Sequence, residues 1–386
     1  MNNHTAEVLI IGAGIIGASI AYHLAVRGCT DVLILEKNDT AVSGSTALSA
    51  AGVRHQFGTE VNIRLSKYSI EHLKNFSEEV GGHAALQQVG YLFIINDPNV
   101  WDEYKKQVEL QHRLGVHTEL LNPEDILTYI PETQLEDVLG ATYGPEDGFC
   151  DPYGIATGYL SRAREMGVQL KLSTPVTGLQ MSGERIVAVE TPEGPVSCDY
   201  VVNAAGAWSG KVAALGGLDV PVLPYRRNAY MTEKFMDFPK TIPMTFDVSS
   251  GFWMRKEQDS LLFGLANPDD PAGENLNVDW NWLLTVLEAG MDRFPLLEKA
   301  RLTKNRCWAG LYEITPDHMP ILGRHPDYPN YINASGFSGH GVMHSPATGM
   351  LMAEEILDGR AHSIDIDELR ITRFQGQELH IEHNVF

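Results

Sequence analysis

Cysteine is scarce in this chain. The four present in 386 residues, Cys29, Cys150, Cys198 and Cys307, lie far apart and form no Cys-x-x-Cys pair. That excludes a disulfide framework and points to a reducing compartment, with the thiols buried or incidental. Positive charge is also short: 29 Lys and Arg stand against 50 Asp and Glu, a formal net charge of −21. A field of that sign repels nucleic acid and anionic membrane surfaces, so neither is an expected partner. Only one apolar run, Val8 to Val26, has the length of a bilayer span, and it lacks the flanks of one. Met1 to Glu7 hold no Lys or Arg, and glycines, Tyr22 and His23 interrupt the run, which speaks against a signal peptide or membrane insertion. The expectation is a soluble, cytoplasmic protein. Internal repeats, low-complexity tracts and obvious flexible linkers are missing too, and a 44% hydrophobic content over this length suffices for two lobes with substantial cores.

What the apolar run does carry is a strand, Val8 to Ile11, that feeds into Gly12, Gly14 and Gly17 and then into a helical segment ending near Gly28. Gly12 permits a tight turn, Gly14 lets the backbone approach a pyrophosphate, and Gly17 lets the helix pack on the strand. The amides of the helix N-terminus face the phosphates. A lone GxGxxG is weak, but here a second apolar strand, Val32 to Leu35, ends at Glu36, nineteen residues after Gly17. A carboxylate there accepts both ribose hydroxyls and disfavours the 2′-phosphate of NADP, leaving FAD or NAD.

Further along, Ser43 to Gly52 is a run of small residues suited to close contact with a large ligand, and it leads into Val53-Arg54-His55-Gln56-Phe57. Apolar spacing predicts a helix over about 61–76, a strand over 91–95 and an amphipathic helix over 101–114. Between Gly167 and Gly206 short β-rich runs alternate with turn residues as in a small meander. Its last run, Cys198 to Asn203, ends in Ala204, Ala205 and Gly206, which either brings backbone to a ligand at the sheet's carboxyl edge or closes an ordinary core. Residues 221–300 are richer in Pro, Met and aromatics, and Leu261-Leu262-Phe263 suggests a separate antiparallel lobe. Near the end, Gly336 to His344 forms a glycine-rich loop. Ser345 reads as an N-cap, Pro346 as the first helical residue, Ala347 to about Leu357 as the helix and Gly359 as its C-cap. The dipole of that helix stabilises negative charge of the kind a reduced flavin carries, which favours FAD over NAD. The fold class expected is α/β, a Rossmann-type FAD-binding domain with a second, mainly antiparallel-sheet substrate domain.

The chain resembles the FAD-dependent amine and amino-acid oxidoreductases, a family that includes glycine oxidase, monomeric sarcosine oxidase, and the beta subunits of sarcosine oxidase and L-proline dehydrogenase. The likeness covers nearly the whole chain. It is carried by the Gly12 to Glu36 unit, the Ser43 to Phe57 run, Ala204-Ala205-Gly206-Ala207-Trp208, Trp308-Ala309-Gly310-Leu311 with Pro320-Ile321-Leu322-Gly323, and Gly336-Phe337-Ser338-Gly339-His340-Gly341. The resemblance implies a discontinuous FAD domain, placed at 1–86, 146–220 and 302–386, and a substrate domain at 87–145 and 221–301 whose sheet roofs the flavin. It implies FAD contacts from Gly12, Gly14, Ile16, Gly17, Glu36, Lys37, Ser45, Thr46, Ala51, Gly52 and Val176. The same holds for Ala205, Gly206, Trp208, Gly310, Gly336, Gly339, His340, Gly341, Val342 and Met343.

Departures from the family pattern shape the rest. Arg54 falls where sarcosine oxidases place a carboxylate-binding arginine, a role suited to a bidentate guanidinium. Met343 stands in place of their second, lysine anchor, and Tyr312 in place of glycine oxidase's arginine. Leu262 or Phe263 replaces the lysine that activates oxygen, and Gly310 replaces the flavin-linking cysteine, with Cys307 three residues too early. Non-covalent FAD and an electron acceptor other than oxygen are therefore expected. The catalytic set expected is Arg54, His344 and Trp253, with Arg226, Arg227 or His344 as substitutes for the carboxylate anchor. His344 serves substrate or flavin on one reading and caps local backbone on the other. Trp253, with Phe252, Tyr225 and Tyr230, walls an apolar substrate pocket or packs the lobe. His340 and His344 have i,i+4 spacing, but neighbouring glycines and Pro346 oppose the helix a zinc motif needs, so no metal is expected.

The function implied is oxidation of the C–N bond of a small amino acid, secondary or N-alkylated, by hydride transfer to flavin N5. No side chain need be a strong base if hydride leaves a neutral amine, in keeping with the absence of a recognisable triad. A second subunit or a homo-oligomer stays open. So does a flavin-bound subunit without turnover, which the missing anchors favour. A nicotinamide dehydrogenase leaves the C-terminal glycine loop unexplained.

Overall fold

The long apolar run is divided at its glycines into a strand, His4–Ile11, and a helix, Ile15–Val26, and both are core. Val8, Leu9 and Ile10 are fully buried, as expected of a strand covered on both faces of a parallel sheet. The helix hides ten of its twelve residues because it packs on Gly341–Leu357 and on Pro152–Glu165. A bilayer-length run is thus an interior βα unit. Among the described residues no helix is long and apolar enough to cross a membrane. The structure, a computed structural model, describes residues 4–376 and 379–385; the expected segment ends at 1–3 and 386, and residues 377–378, lie outside them.

His4–Ile11 sits inside the first of two eight-stranded sheets, pairing in parallel with Val32–Leu35 on one side and Gly194–Asn203 on the other. Gln169–Lys171, Tyr331–Ser335 and Ile321–Arg324 complete that run, and Gly178–Ser182 with Arg185–Thr191 extends it as the antiparallel meander. The second sheet runs in the order Trp308–Ile314, Leu223–Met231, Ser260–Gly264, Phe252–Glu257, Met244–Asp247, Tyr91–Ile95, Gly140–Gly144 and Glu119–Leu121. It is antiparallel except where Met244–Asp247 meets Tyr91–Ile95. Trp308–Ile314 lies within segment 302–386 yet belongs to this second sheet through its pairing with Leu223–Met231.

Predicted helices 61–76 and 101–114 form as Glu60–Lys74 and Pro98–Arg113. The second starts earlier because Asp97 caps it, accepting from the amides of Asn99 at 2.8 Å and Val100 at 3.2 Å, with Pro98 in the first turn. The C-terminal helix corrects the sequence reading. It runs Gly341–Leu357, so Ser345 is not its N-cap and Pro346 lies inside it. The interior proline is tolerated because serines repair the ladder. Ser345 Oγ donates to the Val342 carbonyl that Pro346 cannot reach, at 2.9 Å, and Ala347 N donates to Ser69 Oγ of the adjacent helix at 3.2 Å. The helix ends at Leu357 with Asp358 as its C-cap, followed by Gly359 with φ +86°. All four cysteines are free; Cys29 and Cys150 are buried and the other two half-buried.

Candidate cofactor and substrate site

A cavity of about 390 Å³ opens between the two sheets, walled by the glycine turn and second strand of one and by Arg227, Trp253 and Gly310 to Glu313 of the other. Its floor is a backbone cradle. Gly12 has φ +107°, and a Cβ on it would fall 2.5 Å from the Ala204 carbonyl; one on Gly17 would fall 2.0 Å from the Gly12 carbonyl. Only glycine fits either place. Glu36, 8% exposed, ends the second strand with Oε2 accepting from Ala13 N at 2.9 Å and Oε1 from Asn38 N at 3.0 Å. Two amides fix the carboxylate and leave it acceptor capacity for ribose hydroxyls on the cavity wall. Thr46 Oγ1 accepts from Ile15 N at 3.1 Å, tying the small-residue run to the helix start. Ser45 Oγ ties the same run to the second sheet through the Leu311 carbonyl at 2.8 Å. A glycine cradle beside an amide-oriented acid fits the adenosine half of FAD.

Most expected contacts lie on this wall: Gly12, Gly14, Ile16, Glu36, Lys37, Ser45, Thr46, Val176, Ala205, Gly206, Trp208, Gly310, Gly339, Gly341, Val342 and Trp253. Lys37 Nζ sits 3.2 Å over the Trp208 ring, and burial lowers its pKa. Others serve the walls from behind. Gly17 and Gly336 permit close packing, Gly336 at φ +75° against Thr315 Cγ2. A Cβ on Gly52 would strike the Tyr91 hydroxyl at 2.2 Å, Ala51 adopts φ +67°, and Met343 is buried in the core.

Arg54 and the two histidines are not on the wall. The Arg54 guanidinium is buried, donates to the carbonyls of Gln56 and Asn384, lies 2.9 Å from His340 Nε2 and stacks 4.1 Å over Phe57. His344 is fully buried with Nε2 3.1 Å from Ser66 Oγ, between two helices. Burial, with Arg54 nearby, pushes His344 down to about 3 and His340 well below its usual range, so both rings are neutral. His344 lies in the first turns of the helix, whereas His340 is the residue that precedes it, with the two ring centroids 6.0 Å apart; the glycine after His340 marks the helix start, and Pro346 does not break the helix. Among the described residues no group of three or more His, Cys, Asp or Glu could hold a metal.

The second sheet supplies a cation that sequence reading held only in reserve. Arg226 and Arg227 are adjacent, and their fates differ. Arg226 is clamped by Asp270 at 2.5 Å and Asp279 at 2.9 Å. Arg227 faces the cavity, its guanidinium 4.9 Å over the Tyr312 ring, with Nη1 on the Arg226 carbonyl at 2.9 Å and a buried Nε lacking any partner. No carboxylate of the described residues makes an ion pair with it, and burial lowers its pKa. Register explains the position: Arg227 lies opposite Gly310 and Tyr225 opposite Tyr312, so an arginine from one strand reaches the ring of its neighbour. Glu313, next to Tyr312, is another wall residue that sequence reading missed. Its only signal is a single acid in the strand Trp308–Ile314.

Comparison with known proteins agrees with this geometry. The FAD dependent oxidoreductase family profile matches residues 7–355. Mitochondrial dimethylglycine dehydrogenase of Rattus norvegicus is 32% identical over 96% of this chain, which spans 45% of that protein's length. L-Proline dehydrogenase from P. horikoshii superposes with a TM-score of 0.89 at 32% identity, covering 97% of this chain and 99% of that one. Glycine oxidase from Geobacillus kaustophilus follows at 0.83 and 25%, covering 96% and 99%. With its glycine cradle, its oriented Glu36 and a family match over nine-tenths of its length, the chain belongs to the FAD-dependent oxidoreductases.

Proposed function

We propose that this chain oxidises the C–N bond of a small amino acid with a secondary or N-alkylated nitrogen, and that Arg227 holds the substrate carboxylate. The observation that carries the proposal is an unpaired guanidinium on the wall of the cavity. A buried cation without a counter-ion is costly, and a carboxylate entering the cavity removes that cost through a charge-assisted pair. FAD supplies the hydride acceptor. The protein binds the carboxylate, orients the substrate against the Trp253 and Tyr312 side of the cavity and keeps water out beneath the second sheet. The substrate class draws support from dimethylglycine and proline dehydrogenases, named for amino acids whose nitrogen bears extra carbon.

Two finer proposals rest on the second sheet. Leu262 is fully buried among Ala229, Met231 and Trp253, so its position offers no ammonium to oxygen. The acceptor proposed is accordingly not oxygen. Gly310 carries no nucleophile, and a Cβ there would press on Leu48 at 3.1 Å. Cys307 is off the wall, its Sγ engaged with the Thr303 carbonyl. FAD is therefore held non-covalently and should leave with the supernatant on acid precipitation.

Anaerobic titration tests the reading. Sarcosine, dimethylglycine or proline should bleach the bound flavin, whereas dimethylamine and pyrrolidine, which lack the carboxylate, should not. Equal bleaching by acids and bare amines would remove Arg227 from the account.

A further inference from the structure

Glu313 is a buried acid for which the proposed chemistry has no use. It sits on the cavity wall at 9% exposure, in the strand Trp308–Ile314. Its partners are backbone amides: Gly336 N donates to Oε2 at 3.1 Å, and Phe337 N also points at the carboxyl. Gly206 and Gly341 flank it, with the position of a Cβ on either at 3.8 or 3.7 Å from its oxygens, ordinary van der Waals contact. Of the described residues, no charged or titratable group in the elements packed around it pairs with it. On the neighbouring strand Arg226 is clamped by two aspartates and Arg227 lies over Tyr312. His340 and His344, at the start of the C-terminal helix, are neutral, Arg54 is held by carbonyls, and Asp317 is paired with Arg373. Among the described residues no cation makes an ion pair with Glu313. Burial raises its pKa to about 7 against the pull of the two amides.

We propose that Glu313 is a proton-holding residue that takes up a proton from solvent when negative charge is added to the cavity by reduction of the cofactor. An acid without a counter-ion, beside a site that gains an electron pair, gains proton affinity by simple repulsion. Reduction of the bound flavin then consumes two electrons and one proton at the ring, plus up to one further proton at Glu313. The charge added to the buried site is thereby neutralised locally. Arg227 plays no part in this exchange, so it holds whatever the substrate proves to be.

Potentiometry of the holoenzyme tests this without any substrate. Redox-dye titrations with dithionite at a series of pH values should show a window, beginning near or above neutrality, in which about two protons accompany the two electrons, flanked by regions with one. Glu313→Gln keeps an oxygen to accept the Gly336 and Phe337 amides and should show one proton throughout. Absence of the steeper window from the wild-type protein, or its persistence in the Gln variant, would overturn the proposal. If the Gln variant does not retain FAD, the wild-type window decides alone, checked by direct proton uptake on reduction in weakly buffered solution with a pH indicator.

Discussion

The two ends of the cavity are built on different physics. At the adenosine end the requirement falls on backbone: Gly12 and Gly17 are where a Cβ would meet a carbonyl, and Glu36 is steered by two amides. At the substrate end the requirement falls on side chains that strands distant in sequence bring together, Arg227 over Tyr312 beside Trp253. The first end tolerates almost no change but is shared by many ligand-binding proteins. The second rests on side chains, and on the function proposed it is the end that selects the substrate. Arg227 on strand Leu223–Met231 reaches the Tyr312 ring on strand Trp308–Ile314, and on the reading proposed above it stands in for the arginine that Tyr312 replaces.

Substitutions at the two ends should separate these roles, beginning with the largest effect. Gly12→Ala forces a Cβ onto the Ala204 carbonyl in a left-handed conformation, which costs several kcal/mol. It should yield protein without FAD and with a lowered Tm, read from flavin absorbance and thermal unfolding. Glu36→Ala should raise the FAD Kd about ten- to hundred-fold, the worth of a charged hydrogen bond, measured by fluorescence quenching of added FAD. Full FAD retention by either variant would break the contrast between a backbone end and a side-chain end.

Arg54→Met sharpens the comparison from another side. The side chain holds two buried carbonyls, so its loss should destabilise the fold by about 1–3 kcal/mol in denaturant unfolding. The smallest effect concerns Glu313 in the apoprotein. Its folded pKa near 7 lies above that of an unfolded glutamate, so the native state holds the proton more tightly and stability declines as pH rises toward 7. Relative to Glu313→Gln, the wild-type apoprotein should lose about 1 kcal/mol between pH 6 and pH 8. A flat difference across that range would contradict a raised carboxyl.

The same division governs what the sequence made legible. The βα unit, Glu36, the meander and the antiparallel lobe follow from local patterns, because glycine spacing and apolar runs act within a few residues. The start of the C-terminal helix was misplaced because Ser345-Pro346 looks like a cap; the repair by Ser345 Oγ and Ser69 becomes visible only when a second helix is packed alongside. Arg54 reads as the anchor from its place in the family pattern, whereas one of the groups that hold its guanidinium here, the Asn384 carbonyl, is 330 residues away and leaves no local trace. Arg227, one of three substitutes for the anchor, and Glu313, a lone acid in a strand, carry weak local signals, since an arginine beside an arginine and an acid in a strand become informative only when their partners are known.

The central claim is that Arg227 holds the substrate, and one titration addresses it most directly. Wild type, Arg227→Met and Arg54→Met, each loaded with FAD, are reduced anaerobically with the amino acid that bleaches the wild type best. The account predicts a substrate Kd raised about ten- to hundred-fold in Arg227→Met, as expected for loss of a charged hydrogen bond, and a near-wild-type Kd in Arg54→Met. An unchanged Kd in Arg227→Met, with the increase in Arg54→Met instead, would contradict it.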